Sequence, residues 1–206
     1  MRPSQIAWIV CLFAFALFIG LRLSTRPPQA QTNAVAVSTP AGVKIGGPFV
    51  LTDHNGHTVT ERSWPGKYLL VYFGFTHCPD ICPIGLGRIA DALKELPADL
   101  RGKIQPLFIT VDPARDTAKV MKEYVTLFDQ NLIGLTGTDE QVKHVQKLYR
   151  VYAQKSGTGD DYMVNHSGFT YLMTPDGEMA AIFAHETTAD DMAGQIKGIL
   201  AVPRAP

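Results

Sequence analysis

The stretch KYLLVYFGFTHCPDICP, residues 67–83, decides the fold. Lys67 to Phe75 form a nearly continuous apolar run with aromatic and β-branched side chains, the pattern of a strand buried on both faces. Cys78 and Cys82 follow, four residues apart and each preceding a proline. Pro83 has no backbone donor and is tolerated only in the first turn of a helix, so a helix is expected to start there, with Cys82 as its cap and Cys78 in the preceding loop. Leu86, Ile89, Ala90 and Leu93 continue at helical spacing to Leu96, and Pro97 ends the element. Both sulfurs then lie near the positive end of a helix dipole, which makes thiolate available near neutrality.

The chain on either side alternates in the same way. HNG between PFVLTD and HTVTERSW marks a hairpin before the first buried strand. KIQPLFITV is a second buried strand, DTAKVMKEYVTLF a helix with Val120, Met121, Tyr124, Val125 and Phe128 on one face, and LIGLTG a short strand. Thr138 and Gln141 stand at capping-box spacing before a helix carrying Val142, Val145 and Tyr149. A polar, glycine-containing loop, AQKSGTGDDYMVN, leads into the strand SGFTYLMT, the turn PDG, the strand EMAAIFA and a last helix with Met192, Ile196, Ile199 and Leu200. This order predicts an α/β domain with a mixed central sheet flanked by helices, the layout of a thioredoxin-like fold, with the cysteine pair at the carboxyl end of a strand, where open α/β sheets bind ligands.

The N-terminus follows other rules. IAWIVCLFAFALFIGL, Ile6 to Leu21, is uncharged and apolar, at the short end of a spanning helix, and no small-residue cleavage pattern follows closely. Residues 1–23 are therefore expected to be an uncleaved membrane anchor, residues 24–45 a flexible linker rich in Pro, Ser, Thr and Gln, and residues 46–206 the globular domain. Cys11 is a small apolar residue of that anchor and has no assigned function. Lysine plus arginine and aspartate plus glutamate both number 19, and there is no basic run, so the chain has no field to gather nucleic acid.

The cysteine pair admits three readings: a static disulfide, a thiol-disulfide exchange couple, or a metal site. Closing so small a ring constrains little chain entropy, which counts against a mere staple. Among six histidines His166 stands apart, at the end of the polar loop and the start of an apolar strand. If that strand runs beside the cysteine-bearing one, His166 can reach both sulfurs, and two thiolates with an imidazole form a soft set suited to copper. Asp112 and Pro113 are expected to shape the loop after the second strand; general-base chemistry at Asp112 is the weaker reading. Asp80 is read as a solvated loop carboxylate rather than an oxygen contact to Cu(II), His77 as a neighbour that tunes Cys78, and Met163 as a loop methionine without a role.

GFTHCPDICP, ITVDPARDT and VNHSGFTYLMTPDG, taken together and in this order, resemble the Sco/SenC family of copper-binding, thioredoxin-like proteins involved in assembling cytochrome c oxidase. The resemblance spans about residues 46–200. It implies that Cys78, Cys82 and His166 are the copper ligands, for Cu(I) or Cu(II), and that the partner is the oxidase subunit housing the dinuclear copper centre. Other copper chaperones or thiol reductants are further expected partners. It also implies a single N-terminal anchor with the domain outside the cytoplasmic membrane, and the lack of a long Arg-rich transit peptide makes the bacterial inner membrane, with the domain facing the periplasm, the expected location. One departure is Asn165, where the family commonly has aspartate; if a carboxylate there orients the imidazole, an amide does so more weakly. A second function class remains open, a thiol-disulfide reductase with Cys78 and Cys82 as its redox pair, which would keep the oxidase copper-site cysteines reduced.

Overall fold

A computed structural model of the protein describes residues 44–159 and 161–202, all within one compact unit, Ala36–Pro206. The expected anchor and nearly all of the expected linker lie outside the described residues. Among the described residues no helix is long and apolar enough to cross a membrane.

Hydrophobic runs become the middle of a seven-stranded sheet. β3 (Tyr68–Gly74) and β4 (Ile104–Thr110) are buried at every position, β3 through an apolar run and β4 with its two polar members, Gln105 and Thr110, hydrogen-bonded to Asn131 O and Asp116. They pair in parallel, and β4 pairs in parallel with β5 (Ile133–Thr136). β1 (Val50–Asp53) and β2 (Thr58–Thr60) form the expected hairpin and add antiparallel to β5. On the other side β8 (Thr170–Met173) runs antiparallel beside β3, with β9 (Met179–Phe183) at the edge. The order is β2-β1-β5-β4-β3-β8-β9, a mixed sheet.

Helices cover it. α1 (Ile81–Glu95) follows β3 and packs along α5 (Ala189–Ala201), and α2 (Ala98–Arg101) is a single short turn. α3 (Ala118–Val125) lies against β5, and α4 (Asp139–Tyr149) opens with the capping box of Thr138 and Gln141. Alternation along β3 sends Tyr72 to the face where Phe108 and Tyr124 stack, and Phe73 to the face where it meets Tyr149 and Tyr171.

Two local readings change. α1 begins at Ile81, not Pro83, so Asp80 is its cap and Cys82 sits inside the first turn; Pro83 is then the third helical residue, where its missing N–H is still one the helix leaves unpaired. The polar loop after α4 is a separate two-stranded hairpin, β6 (Ala153–Ser156) with β7 (Met163–His166). Its residues carry no apolar alternation, because only Val164 among the strand residues is buried.

Candidate metal centre

The β3–α1 junction supplies the sulfurs. Cys78 lies in the turn after β3, its backbone N–H donating to Phe75 O, and Cys82 lies one helical turn further on. Two glycines let the backbones approach. A Cβ on Gly74 would stand 2.6 Å from Cys82 Sγ, and one on Gly85 would stand 2.9 Å from the Tyr72 ring. Tyr72, fully buried behind the pair, donates its hydroxyl to Ile81 O at 3.3 Å and fixes the first turn of α1.

The third group arrives from β7. His166 sits opposite Ala153 at the base of the hairpin, and β8, which follows it, runs beside β3. Its Nε2 lies 3.3 Å from Cys82 Sγ, and its ring meets Phe75 edge-on at 5.8 Å. Nδ1 is 3.0 Å from Ser167 O. A carbonyl only accepts, so the proton resides on Nδ1, and the Nε2 lone pair faces the sulfurs as a metal ligand must. The orienting partner of the imidazole is this carbonyl; Asn165 is exposed and pairs with Gln154, so the amide at that position leaves the ring's support intact.

Cys78 Sγ, Cys82 Sγ and a His166 ring nitrogen all lie within 4.8 Å of one another. Thiolate and imidazole bonds to ions such as zinc are about 2.0–2.3 Å, which puts donors roughly 3.5–4 Å apart around one ion. The three donors therefore fit a single soft cation with adjustments of up to about an ångström, and their S₂N character disfavours magnesium or calcium.

Both cysteines are free thiols, and their environments differ. Cys78 is 9% exposed at the mouth of the site and Cys82 is fully buried behind it. A hydrogen bond from the Cys82 thiol holds the Cys78 thiol well below the ordinary thiol range, opposed by burial and aided by the backbone N–H groups of Asp80 and Cys82. The same shared hydrogen bond, with burial, pushes Cys82 up. Both effects favour the proton on buried Cys82 and the thiolate on Cys78. A thiol of pKa about 8.5 loses roughly 80-fold in thiolate between pH 8 and pH 6. Because the Cys78 pKa is lowered, its alkylation by iodoacetamide in the reduced protein is expected to change only a few-fold across that range. Peptide mapping should find the label on Cys78, with Cys82 protected; a steep fall with acid, or equal labelling, would contradict this arrangement.

The other residues singled out from sequence lie around this group. His77 is not part of the converging group, and its Nδ1 lies 3.1 Å from the Thr76 hydroxyl. Asp80 caps α1 without a side-chain hydrogen bond, and Met163 stands exposed at the start of β7 opposite Ser156. Asp112 is fully buried, with one oxygen accepting from Arg115 Nε at 2.5 Å and the other from the Tyr162 hydroxyl at 2.6 Å. That is the structural role expected of it, and burial with a donor on each oxygen disfavours base chemistry. Sequence reasoning passed over Asp116, also fully buried, which accepts from the Thr76 and Thr110 hydroxyls, each at 2.6 Å, and from the Thr76 backbone N–H. Burial raises its carboxyl pKa while those bonds oppose the rise. The signal was an aspartate inside ITVDPARDT with no turn left to explain it.

Comparison with known proteins identifies relatives of the whole domain. The SCO1/SenC family model matches residues 37–201. The mitochondrial protein SCO2 of Saccharomyces cerevisiae is 48% identical over 153 residues, 73% of this chain and 51% of that one, so the chain spans about half the length of this relative. The SCO2-like protein of Rickettsia felis is 38% identical over 196 residues, 94% of this chain and 93% of that one. Among solved structures, Bradyrhizobium japonicum ScoI with copper bound superposes with a TM-score of 0.69 at 42% identity, covering 75% of this chain and 99% of that one. With its mixed sheet and its cysteine pair at the end of β3, the chain belongs to the SCO1/SenC family.

Proposed function

We propose that this protein is a copper metallochaperone whose Cys78, Cys82 and His166 hold the ion as cargo and deliver it to the dinuclear copper centre of cytochrome c oxidase during assembly. The convergence of two sulfurs and one imidazole nitrogen at the mouth of the β3–α1 junction carries this reading. Family relatives with copper bound support the choice of ion. Cys82 and Cys78 are held by a buried helix start, whereas His166 is held by a hairpin outside the main sheet. Release therefore begins at His166: its withdrawal lowers the coordination number and opens a position for partner thiolates. In the same reading residues 1–23 anchor the chain in the bacterial inner membrane and residues 46–206 face the periplasm.

A second reading rests on the asymmetry of the thiols. Cys78 thiolate attacks one sulfur of a partner disulfide, a mixed disulfide forms and one partner thiolate leaves. Cys82, losing its proton, attacks Cys78 Sγ and releases the second partner thiol, leaving the Cys78–Cys82 disulfide and a partner reduced by two electrons. This reductase needs both cysteines and has no use for His166.

Copper stoichiometry and absorption spectra of the reduced full-length chain separate the two. Copper delivery predicts about one tightly held ion, with binding by His166→Ala weakened roughly 100-fold or more, as expected for loss of one ligand of a few kcal/mol. If the reduced protein took up no copper, and His166→Ala reduced disulfides at the parent rate, the reductase would replace the chaperone.

A further inference from the structure

The segment between β4 and α3, residues 112–116, touches both halves of the site from behind. Asp116 holds the cysteine side: it binds the backbone N–H and the hydroxyl of Thr76, two residues before Cys78. Asp112 holds the histidine side, accepting the Tyr162 hydroxyl across 50 residues of chain. Arg115 reinforces it, with its guanidinium 3.7 Å from the centre of the Tyr162 ring and its Nε on Asp112. Lys155, from the other strand of the hairpin, lies 4.3 Å from the same ring centre and 3.9 Å from Asp112.

The hairpin needs such an attachment. Two strands alone are marginal in water, and β6–β7 forms no ladder with the seven-stranded sheet. At its base Ser167 N–H donates to Tyr152 O; in its middle Val164 is buried; at its far end the Tyr162 ring and hydroxyl dock on residues 112–115. Four residues at about 3.3 Å each place this attachment roughly 13 Å from His166 along the strand.

We infer that Tyr162 and Asp112 form a positioning latch: the Tyr162 hydroxyl on Asp112 sets the angle of the β6–β7 hairpin and thereby how fully His166 engages the ion held by Cys78 and Cys82. Neither residue touches the ion. The inference rests on the copper reading above, and it adds a point of control for the delivery step, since a partner that draws Tyr162 off Asp112 loosens the third ligand without touching the thiolates.

The test uses the full-length reduced chain as parent, Tyr162→Phe, Asp112→Asn, His166→Ala and the Tyr162→Phe/His166→Ala double variant. Copper is titrated against a chromophoric Cu(I) chelator, imidazole nitrogen coupling is read by electron paramagnetic resonance after loading with Cu(II), and amide exchange at Ser167 is followed in the metal-free protein. Tyr162→Phe is expected to weaken copper roughly 10- to 100-fold, the range for groups that orient a metal ligand. It should also diminish the nitrogen coupling and speed exchange at Ser167, and Asp112→Asn should follow it. In the His166→Ala background the same change should weaken copper no further, because the latch has nothing left to position. Parent-like affinity in Tyr162→Phe, or penalties that multiply in the double variant, would overturn the latch while leaving the copper site standing. A parent chain that holds no copper would overturn the function itself and the latch with it.

Discussion

Cys82→Ser is expected to yield a folded protein that has lost more than a hundredfold in copper affinity. Complete four-ligand thiolate and imidazole sites bind with about 10–16 kcal/mol, or roughly 3 kcal/mol per ligand, and 1.4 kcal/mol is tenfold in affinity. A hydroxyl is a hard, weak ligand for a soft ion and does not replace the sulfur. The fold should persist, because serine is smaller than cysteine at this fully buried position and its hydroxyl can donate to Cys78, as the thiol does. Chelator competition and thermal unfolding on the same sample check both halves. If copper affinity stayed within tenfold of the parent, Cys82 would not be a ligand.

Gly74→Ala should do nearly as much damage without altering any donor. The added methyl would stand 2.6 Å from Cys82 Sγ and 2.9 Å from the Phe108 ring, at the end of a strand buried throughout. Neither neighbour is the free end of a flexible chain: Cys82 is fixed in the first turn of α1, and Phe108 is stacked between Tyr72 and Tyr124. Overpacking of this kind typically destabilises by about 1–3 kcal/mol. Here part of the relief comes from moving the sulfur, so copper affinity should fall roughly a hundredfold in parallel, the cost of one poorly placed ligand. Gly87→Ala in the same helix is the control. Its Cβ meets nothing within 4 Å, so it should raise stability by up to about 1 kcal/mol through helix propensity and leave copper binding unchanged. A Gly74→Ala protein with parental melting temperature and copper affinity would show that the close approach does not shape the site.

The parts of the fold that were legible in sequence are those whose signal is local. β3 and β4 read as buried strands because apolar, aromatic and β-branched side chains dominate them, and the observed burial is complete even at Gln105 and Thr110, whose side chains are hydrogen-bonded. The capping box at Thr138 and Gln141 was equally plain, since both of its hydrogen bonds form within four residues. The cysteine pair and His166 were legible as candidates through three separated motifs, and their convergence depended on β8 pairing with β3. What escaped notice is held from a distance. The β6–β7 hairpin has exposed polar residues on both strands, so neither alternation nor an apolar run marks it. Its register follows from Val164 packing inward and Tyr162 reaching Asp112. Asp116 likewise looks like one more loop carboxylate until Thr76, 40 residues earlier, closes on it. The helix start shifted to Ile81 because proline is as acceptable at the third helical position as at the first, and sequence alone does not separate the two.

Cys82 and His166 stand 84 residues apart in the chain and meet only because β8 folds back beside β3. Between α1, which carries Cys82, and β7, which carries His166, come α2 to α4 and β4 to β6, so the contact has a high sequence separation and forms only after a long loop has closed. A nascent or partly threaded chain ending before β7 would carry both thiols and lack the imidazole. The complete donor set is therefore a certificate of finished folding: an ion that requires all three groups is retained by native molecules and passed over by immature ones, and its binding energy stabilises the native topology alone.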